Sequence, residues 1–146
     1  MSRREQLLQV IEQHIHEDCA DYQALVHMLD GLYEQLMRRD CLLIEQSNQC
    51  INAKLEQLAT RAAWRVKALK AFGLKANDAA MQRIFAQYPA ERAERLAAAW
   101  QSLNTLAQTC KTQNERNGRL LAMHNEILSQ LLVGEQTDSV YQSQYY

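Results

Sequence analysis

A few residue pairs in the sequence have types and spacing that could support metal binding. His14 and Glu17 lie three positions apart, and so do His27 and Asp30. A carboxylate-bridged metal centre in a helical protein requires Glu-x-x-His on two helices and a Glu on two others. Both pairs have the reverse order, and no Glu-x-x-His matches them elsewhere in the chain. The sequence therefore predicts neither a metal site nor a cofactor.

A cysteine nucleophile would need a histidine within reach and an electropositive setting. Cys110 and His124 share one face of the same predicted helix, but fourteen residues span about 21 Å along a helix axis. The two side chains therefore cannot touch. The chain also lacks a Gly-rich phosphate loop, because its four glycines are isolated. We predict a protein that is not an enzyme.

Cys110 and His124 belong to the longest apolar pattern in the chain, residues 96–131. Apolar side chains recur there at steps of three and four, which predicts a continuous α-helix of about ten turns. The pattern is interrupted at Gln113, Asn114 and Asn117, and Gly118 follows directly. Two interpretations stay open. The polar residues could fix the register of packed helices, or the gap and the glycine could form a notch for a bound segment.

Composition indicates the all-α class and a single domain. The 146 residues include only four glycines and one proline, too few to build many tight hairpins. The net charge is −1 and the pI about 6.4, so no overall positive field favours nucleic acid. No apolar run approaches the roughly 18 residues of a membrane span, and the first residues lead into an amphipathic helix rather than a signal peptide.

The cysteines indicate the compartment. Cys19, Cys41, Cys50 and Cys110 show no CxxC spacing and lie on helical stretches far apart. We interpret all four as small buried hydrophobic residues in a reducing compartment. The expected location is the cytoplasm.

Hydrophobic periodicity predicts three long helices and one short helix. The first covers residues 3–37, and Gly31 within it is expected to mark a close helix crossing. The second covers residues 41–72 with Gly73 as its C-cap; whether a loop separates it from the first is open. A short helix covers residues 79–87, and the last begins at Pro89 and closes at residues 133–134. These predict an elongated antiparallel bundle in residues 1–134, followed by a disordered tail, residues 135–146.

One stretch of the second helix is strongly basic. Its cations fall within fifteen residues that contain no acid. The favoured interpretation is a solvated face, with cations stabilised by the negative C-terminal end of the helix. The alternative is a docking patch for an acidic partner or a membrane surface. The cations are Arg61, Arg65, Lys67, Lys70 and Lys75.

The polar gap also carries a family resemblance. The run Asn114-Glu115-Arg116-Asn117-Gly118-Arg119-Leu120-Leu121 has the form Asn-x-x-Asn-Gly-x-Leu on the last helix, followed by a polar tail with Thr137 and Tyr141. This resembles the FlgN family, the flagellar type III export chaperones for hook-filament junction proteins. The order and length of the helices agree across nearly the whole chain. The tail departs from the family pattern because no Gly follows Tyr141, so Tyr145 and Tyr146 are alternatives for its role.

The resemblance implies a binding protein without catalysis. Family members hold the C-terminal segments of the hook-associated proteins FlgK and FlgL in the cytoplasm and dock at the export apparatus, which includes an export-gate membrane protein and an export ATPase complex. The resemblance assigns contact with the export gate to Tyr141. A bundle with an uncovered apolar stripe could accept an amphipathic segment in a groove. We expect the groove to be lined or supported by Leu103, Leu106, Cys110, Asn114, Asn117, Gly118, Leu121 and His124.

A second class of function stays open at this point. The stripes of the first two helices could pair between two copies of the chain, giving a homodimer or a self-associating helical scaffold without an export substrate. Dimerisation that persists in the presence of a substrate segment would favour this alternative. A third class, a bundle enzyme or metal carrier, would be tested by elemental analysis of the purified protein.

Overall fold

The computed structural model describes residues 1–132, which form four α-helices and no strand. They are α1 (Arg3–Arg38), α2 (Cys41–Ala71), α3 (Asp78–Phe85) and α4 (Ala90–Leu132). The all-α prediction is confirmed, and the helix ends within the described residues lie within two residues of the predicted ones. The predicted close of the last helix, residues 133–134, lies outside the described residues. The predicted tail, with Tyr141, lies outside the described residues.

Local sequence signals set the ends of the first two helices. At the start of α1, Ser2 and Glu5 form a capping box, in which each backbone N–H donates to the other's side chain at 3.2 Å. α1 ends at Arg39, which has a left-handed φ of 55°. Asp40 then caps α2 by accepting a bond from the Leu43 N–H at 3.2 Å. α1 and α2 are therefore separate helices, which answers the question that the sequence left open.

The predicted C-cap after α2 is confirmed. Gly73 has a φ of 74°, and its N–H donates to the Lys70 carbonyl while the Leu74 N–H donates to the Leu69 carbonyl, both at 2.9 Å. This pair of bonds is the Schellman motif, which requires the left-handed backbone that glycine adopts without strain. The turn directs the chain into α3, whose first residues are capped by the side chain of Asn77.

The helix α1 is the central element, because both α2 and α4 pack along it. The contacts with α2 show that it runs antiparallel to α1. Ser47, early in α2, donates to Gln35, late in α1, at 2.6 Å. Arg61, later in α2, donates to Asp18, earlier in α1, at 2.5 Å. Consecutive long helices thus run antiparallel, as predicted. α4 consequently runs parallel to α1.

The contacts between α1 and α4 show this parallel direction over residues 12–29 of α1. Near the N-terminal end of both helices, Arg92 donates to Glu12 at 2.8 Å. Near the C-terminal end of α1, Asn117 donates to the carbonyl of Leu29 at 2.9 Å. α4 continues for 15 residues beyond Asn117, whereas α1 ends nine residues beyond Leu29, so the last turns of α4 extend past the end of α1.

The buried apolar residues form two clusters rather than one. The first lies at the end of the bundle that holds α3, and the second lies between α1, α2 and the C-terminal half of α4. The first cluster contains Leu8, Ile11, Ile15, Ala68, Leu69, Ala80, Met81, Ile84, Phe85, Tyr88 and Leu96. The second contains Leu25, Leu29, Leu32, Leu36, Ile51, Leu58, Cys110 and Leu120.

A network of charged side chains lies between the two clusters. Asp18 on α1 is only 1% exposed and accepts bonds from Arg61 at 2.5 Å and from Arg65 at 2.9 Å. Asp21, one turn further along, accepts from Arg61 and from Lys54. Burial alone would raise the pKa of Asp21, but the bonds from Arg61 and Lys54 outweigh burial and lower it. The carboxylates of α1 thus neutralise the cations of α2 inside the bundle.

This network corrects the prediction of a solvated basic face. Arg61 and Arg65 are mostly buried because they pair with α1, whereas Lys67, Lys70 and Lys75 are exposed. The sequence could not separate these two groups, because only the packing of α2 on α1 decides which cations face a carboxylate.

Two further predictions are wrong. A Cβ added at Gly31 would meet no atom within 4 Å, so this glycine does not mark a close helix crossing. Cys110 is buried and Cys19 is half-buried, but Cys41 and Cys50 are exposed. The reason is that the N-terminal half of α2 packs mainly on α1 and leaves most of its circumference in water.

The buried network predicts that two aspartates, Asp18 and Asp30, contribute very different amounts to the free energy of unfolding. Replacing Asp18 with Ala leaves two largely buried guanidinium groups without their shared carboxylate, so we expect the free energy of unfolding to fall by about 3 kcal/mol. Asp30 is the matched control, because it also pairs with an arginine, Arg116, but its side chain is 56% exposed. Asp30→Ala should cost less than about 1 kcal/mol. Urea unfolding measures both, and equal losses would show that the network does not stabilise the fold.

Candidate functional site

The polar gap in α4 faces α1 and is used for bonds between the two helices. Asn117 is 3% exposed, and its side-chain amide donates to the carbonyl of Leu29 at 2.9 Å. The amide of Gln113 donates to the carbonyl of Val26 at 3.1 Å and to Asp30 at 2.9 Å. These geometries favour the interpretation that the buried polar residues fix the register of α4 on α1.

The other two positions of the gap have different surroundings. Asn114 is exposed, and a Cβ added at Gly118 would meet no atom within 4 Å. Space therefore remains beside Gly118, which no described residue fills. The buried amides of the gap therefore bond to α1, whereas the space beside the glycine is open.

A groove lies between α2 and α4. These two helices both pack on α1, and their backbones rarely come close to each other within residues 1–132. Their side chains meet where Arg65 of α2 lies over the ring of Trp100 of α4 at 5.2 Å. The space between them includes a cavity of about 220 Å³. Its floor is formed by α1 and its walls by α2 and α4. The lining residues are Tyr22, Leu25 and Leu29 of α1, Ile51 and Leu55 of α2, and Ala107, Cys110, Lys111 and Asn114 of α4.

The groove has an apolar interior and a polar rim. Leu25 and Leu29 are buried at its floor, while Leu55 on the α2 wall is 45% exposed. Lys111 and Asn114 on the α4 wall are exposed and polar. Such an arrangement suits an amphipathic helix, whose apolar side chains enter the groove while its polar face stays in water.

The structure distributes the eight predicted site residues of α4 over several environments. Cys110 and Asn114 line the groove. Leu106 lies on another side of α4, beside Gln23 of α1. Leu103 is buried, whereas Gly118 and His124 are half-buried, as is Leu121, which packs against the second apolar cluster.

The groove also contains residues that were not predicted as part of a site. Tyr22, Leu25, Leu29, Ile51 and Leu55 were recognised only as members of helical stripes. The available signal was that each long helix carries such a stripe. What the sequence lacked was the information that α2 and α4 both pack on α1 and leave a groove between residues 51–55 of α2 and residues 107–114 of α4.

Burial shifts the pKa of several titratable side chains among the described residues. Burial raises the pKa of the Cys110 thiol and that of the Cys19 thiol, which disfavours the reactive thiolate form. Burial also lowers the pKa of His14, which stacks edge-on against Trp64 at 4.8 Å. Among residues 1–132, no three His, Cys, Asp or Glu side chains stand where they could hold a metal ion. Over the same range, no helix has both the length and the apolarity to cross a membrane.

Comparison with known proteins supplies the family. A family model described as FlgN protein matches residues 1–143. The chain belongs to the FlgN family. FlgN proteins are flagellar export chaperones, so this chain has a general role as a chaperone of flagellar protein export. Searches of the curated proteins and of the solved structures gave no significant match.

The two asparagines of the FlgN motif are expected to behave differently. Asn117→Ala removes a buried bond to the Leu29 carbonyl, so the free energy of unfolding should fall by about 1–2 kcal/mol. Asn114→Ala changes an exposed side chain and should cost less than about 0.5 kcal/mol. Urea unfolding of both variants measures the difference. A loss that is as large for Asn114 as for Asn117 would contradict the assignment of register to the buried amide.

Proposed function

We propose that this FlgN-family chain holds the C-terminal segments of the hook-filament junction proteins FlgK and FlgL in the cytoplasm. By covering their apolar faces it prevents premature assembly, and it delivers them to the flagellar type III export apparatus. The observation that carries this proposal is the open groove between α2 and α4, with its apolar floor and exposed Leu55.

The physical properties of the groove support an amphipathic helical segment as its occupant. A segment that forms coiled coils carries apolar residues at steps of three and four, which present one stripe. Laid along the groove, this stripe would cover Leu55 and the accessible edges of Ile51 and Leu29. The rim residues Lys111 and Asn114 would stay in contact with water or with polar groups of the segment.

Gly118 extends the site along α4. It follows Asn114 by one helical turn, on the same side of the helix, and the space beside it is empty. A bound segment could approach the backbone there more closely than any larger side chain would permit. The remaining predicted residues, Leu103, Leu106, Leu121 and His124, are proposed to support or border this surface rather than to form its floor.

Replacing Leu55 with Gln should weaken binding of the FlgK and FlgL segments by about ten-fold, because it removes exposed apolar surface from the groove wall. Leu42→Gln is the matched control: Leu42 lies on the same helix and is 65% exposed, but it is not part of the groove. Titration calorimetry against each isolated segment measures the affinities. A negative heat-capacity change on binding would report apolar burial.

The same titrations include Gly118→Leu, which should also lose affinity while the protein stays folded. Normal binding by Gly118→Leu would remove Gly118 from the site. Equal losses for Leu55→Gln and Leu42→Gln would place the segment elsewhere on α2. If the unmodified chain bound neither segment at any temperature, the assignment of FlgK and FlgL as cargo would be wrong.

Delivery is proposed to depend on residues 135–146, with Tyr141 in contact with the export-gate membrane protein. Deleting these residues should abolish export of the cargo in cells and leave its affinity in calorimetry unchanged. Single replacements of Tyr141, Tyr145 and Tyr146 with Ala identify which tyrosine acts. Loss of cargo affinity on deletion would refute this separation of binding and delivery.

A self-associating scaffold remains the second candidate because of a specific observation. The last turns of α4, beyond the end of α1, expose Ile127, Leu128 and Leu131. A second copy could cover this apolar surface and form a homodimer. Ultracentrifugation with and without the cargo segment separates the two functions, because a scaffold stays dimeric when the segment is added.

A further inference from the structure

The charges of the chain are strongly segregated. Residues 61–89 contain six cations and one acid, a net charge of +5, whereas the remaining residues together carry −6. Two of the six cations, Arg61 and Arg65, are neutralised inside the bundle by Asp18 and Asp21. The other four are exposed and form no salt bridge within residues 1–132. These four, Lys67, Lys70, Lys75 and Arg83, are named here the α2–α3 basic end.

The one acid of this stretch offsets only part of this positive charge. The carboxylate of Asp78 accepts a hydrogen bond from the indole N–H of Trp100 on α4 at 2.8 Å, a neutral donor that does not cancel its charge. Four exposed cations and one exposed carboxylate give this surface a net charge of +3. Helix macrodipoles account for Lys70 and Arg83, which lie in the last turns of α2 and α3. They do not account for Lys67, one turn earlier, or for Lys75, which lies between the helices.

The surface around the basic end is poor in exposed apolar side chains. The apolar face of α3 is buried. Among the large apolar residues of α2, the exposed one beside these cations is Val66. Helices that bind a bilayer surface insert an apolar face, which is not available here. Proteins that bind single-stranded nucleic acid offer exposed aromatic rings for stacking, whereas Trp64 and Phe72 are half-buried. A cationic surface of this kind is best matched by carboxylates of another protein.

We propose that the α2–α3 basic end is a docking surface for an acidic protein segment rich in Asp and Glu. Lys67 lies twelve residues beyond Leu55, which is about 18 Å along α2, so the acidic partner does not occupy the groove. The chain can therefore hold a segment in the groove and contact an acidic protein at the same time. This site does not depend on the identity of the cargo.

The experiment measures binding of the full chain to a short poly-L-glutamate peptide by fluorescence anisotropy at low and at physiological salt. The triple variant Lys67→Gln/Lys70→Gln/Lys75→Gln should lose affinity by about ten-fold or more, because it removes three of the four cations that attract the peptide's carboxylates. The matched control is Arg38→Gln/Arg39→Gln/Arg119→Gln, which changes the net charge equally at the opposite part of the bundle. The control should bind as the unmodified chain does.

Three results would overturn the proposal. The first is the absence of poly-L-glutamate binding by the unmodified chain at low salt. The second is an equal loss of affinity in both triple variants, which would indicate a general effect of net charge. The third is tighter binding to phosphatidylserine vesicles or to single-stranded DNA than to poly-L-glutamate, which would assign the surface to a membrane or to nucleic acid. Circular dichroism confirms that both variants are folded, so that a loss of binding is interpretable.

Discussion

The carboxylate of Asp18 lies between the guanidinium groups of Arg61 and Arg65, almost completely removed from water. Charges in such a position stabilise a structure only when their geometry is satisfied, and a displaced partner is strongly unfavourable. The network therefore permits one alignment of α2 on α1. The network lies between the two apolar clusters. The alignment of α2 on α1 that it fixes therefore also determines which apolar residues meet in each cluster.

α4 is aligned on α1 by different chemistry. Neutral amides of Gln113 and Asn117 donate to backbone carbonyls of α1, which gives a bond without the cost of burying a charge. α1 is thus held to α2 by a buried ion-pair network, and to α4 by buried amide bonds together with the more exposed pairs of Arg92 with Glu12 and of Arg116 with Asp30. α2 and α4 meet where Arg65 lies over the Trp100 ring, and the groove lies further along these two helices.

Much of the fold could be predicted from single residues. Gly73 was predicted as the C-cap of the second helix and forms that cap, and apolar periodicity predicted the helices themselves. The site was only partly predictable. The polar gap in α4 was visible, but the carbonyl that Asn117 reaches, and the fact that Leu55 faces the groove, depend on how helices distant in sequence are placed. The pairing of Arg61 with Asp18 was missed for the same reason.

The amide bonds between α4 and α1 have a mechanical consequence. Moving α4 along α1 by even one residue would separate the Asn117 amide from its carbonyl, so sliding of the two helices is resisted. Around the groove, no comparable set of hydrogen bonds joins α2 to α4 in the described part of the chain, and the contact of Arg65 with Trp100 lies beyond it. A change in the spacing of α2 and α4 along the groove is therefore resisted less than sliding. If the groove is the proposed binding site, a change of width at constant register would let it accept segments with different side-chain volumes at equivalent positions.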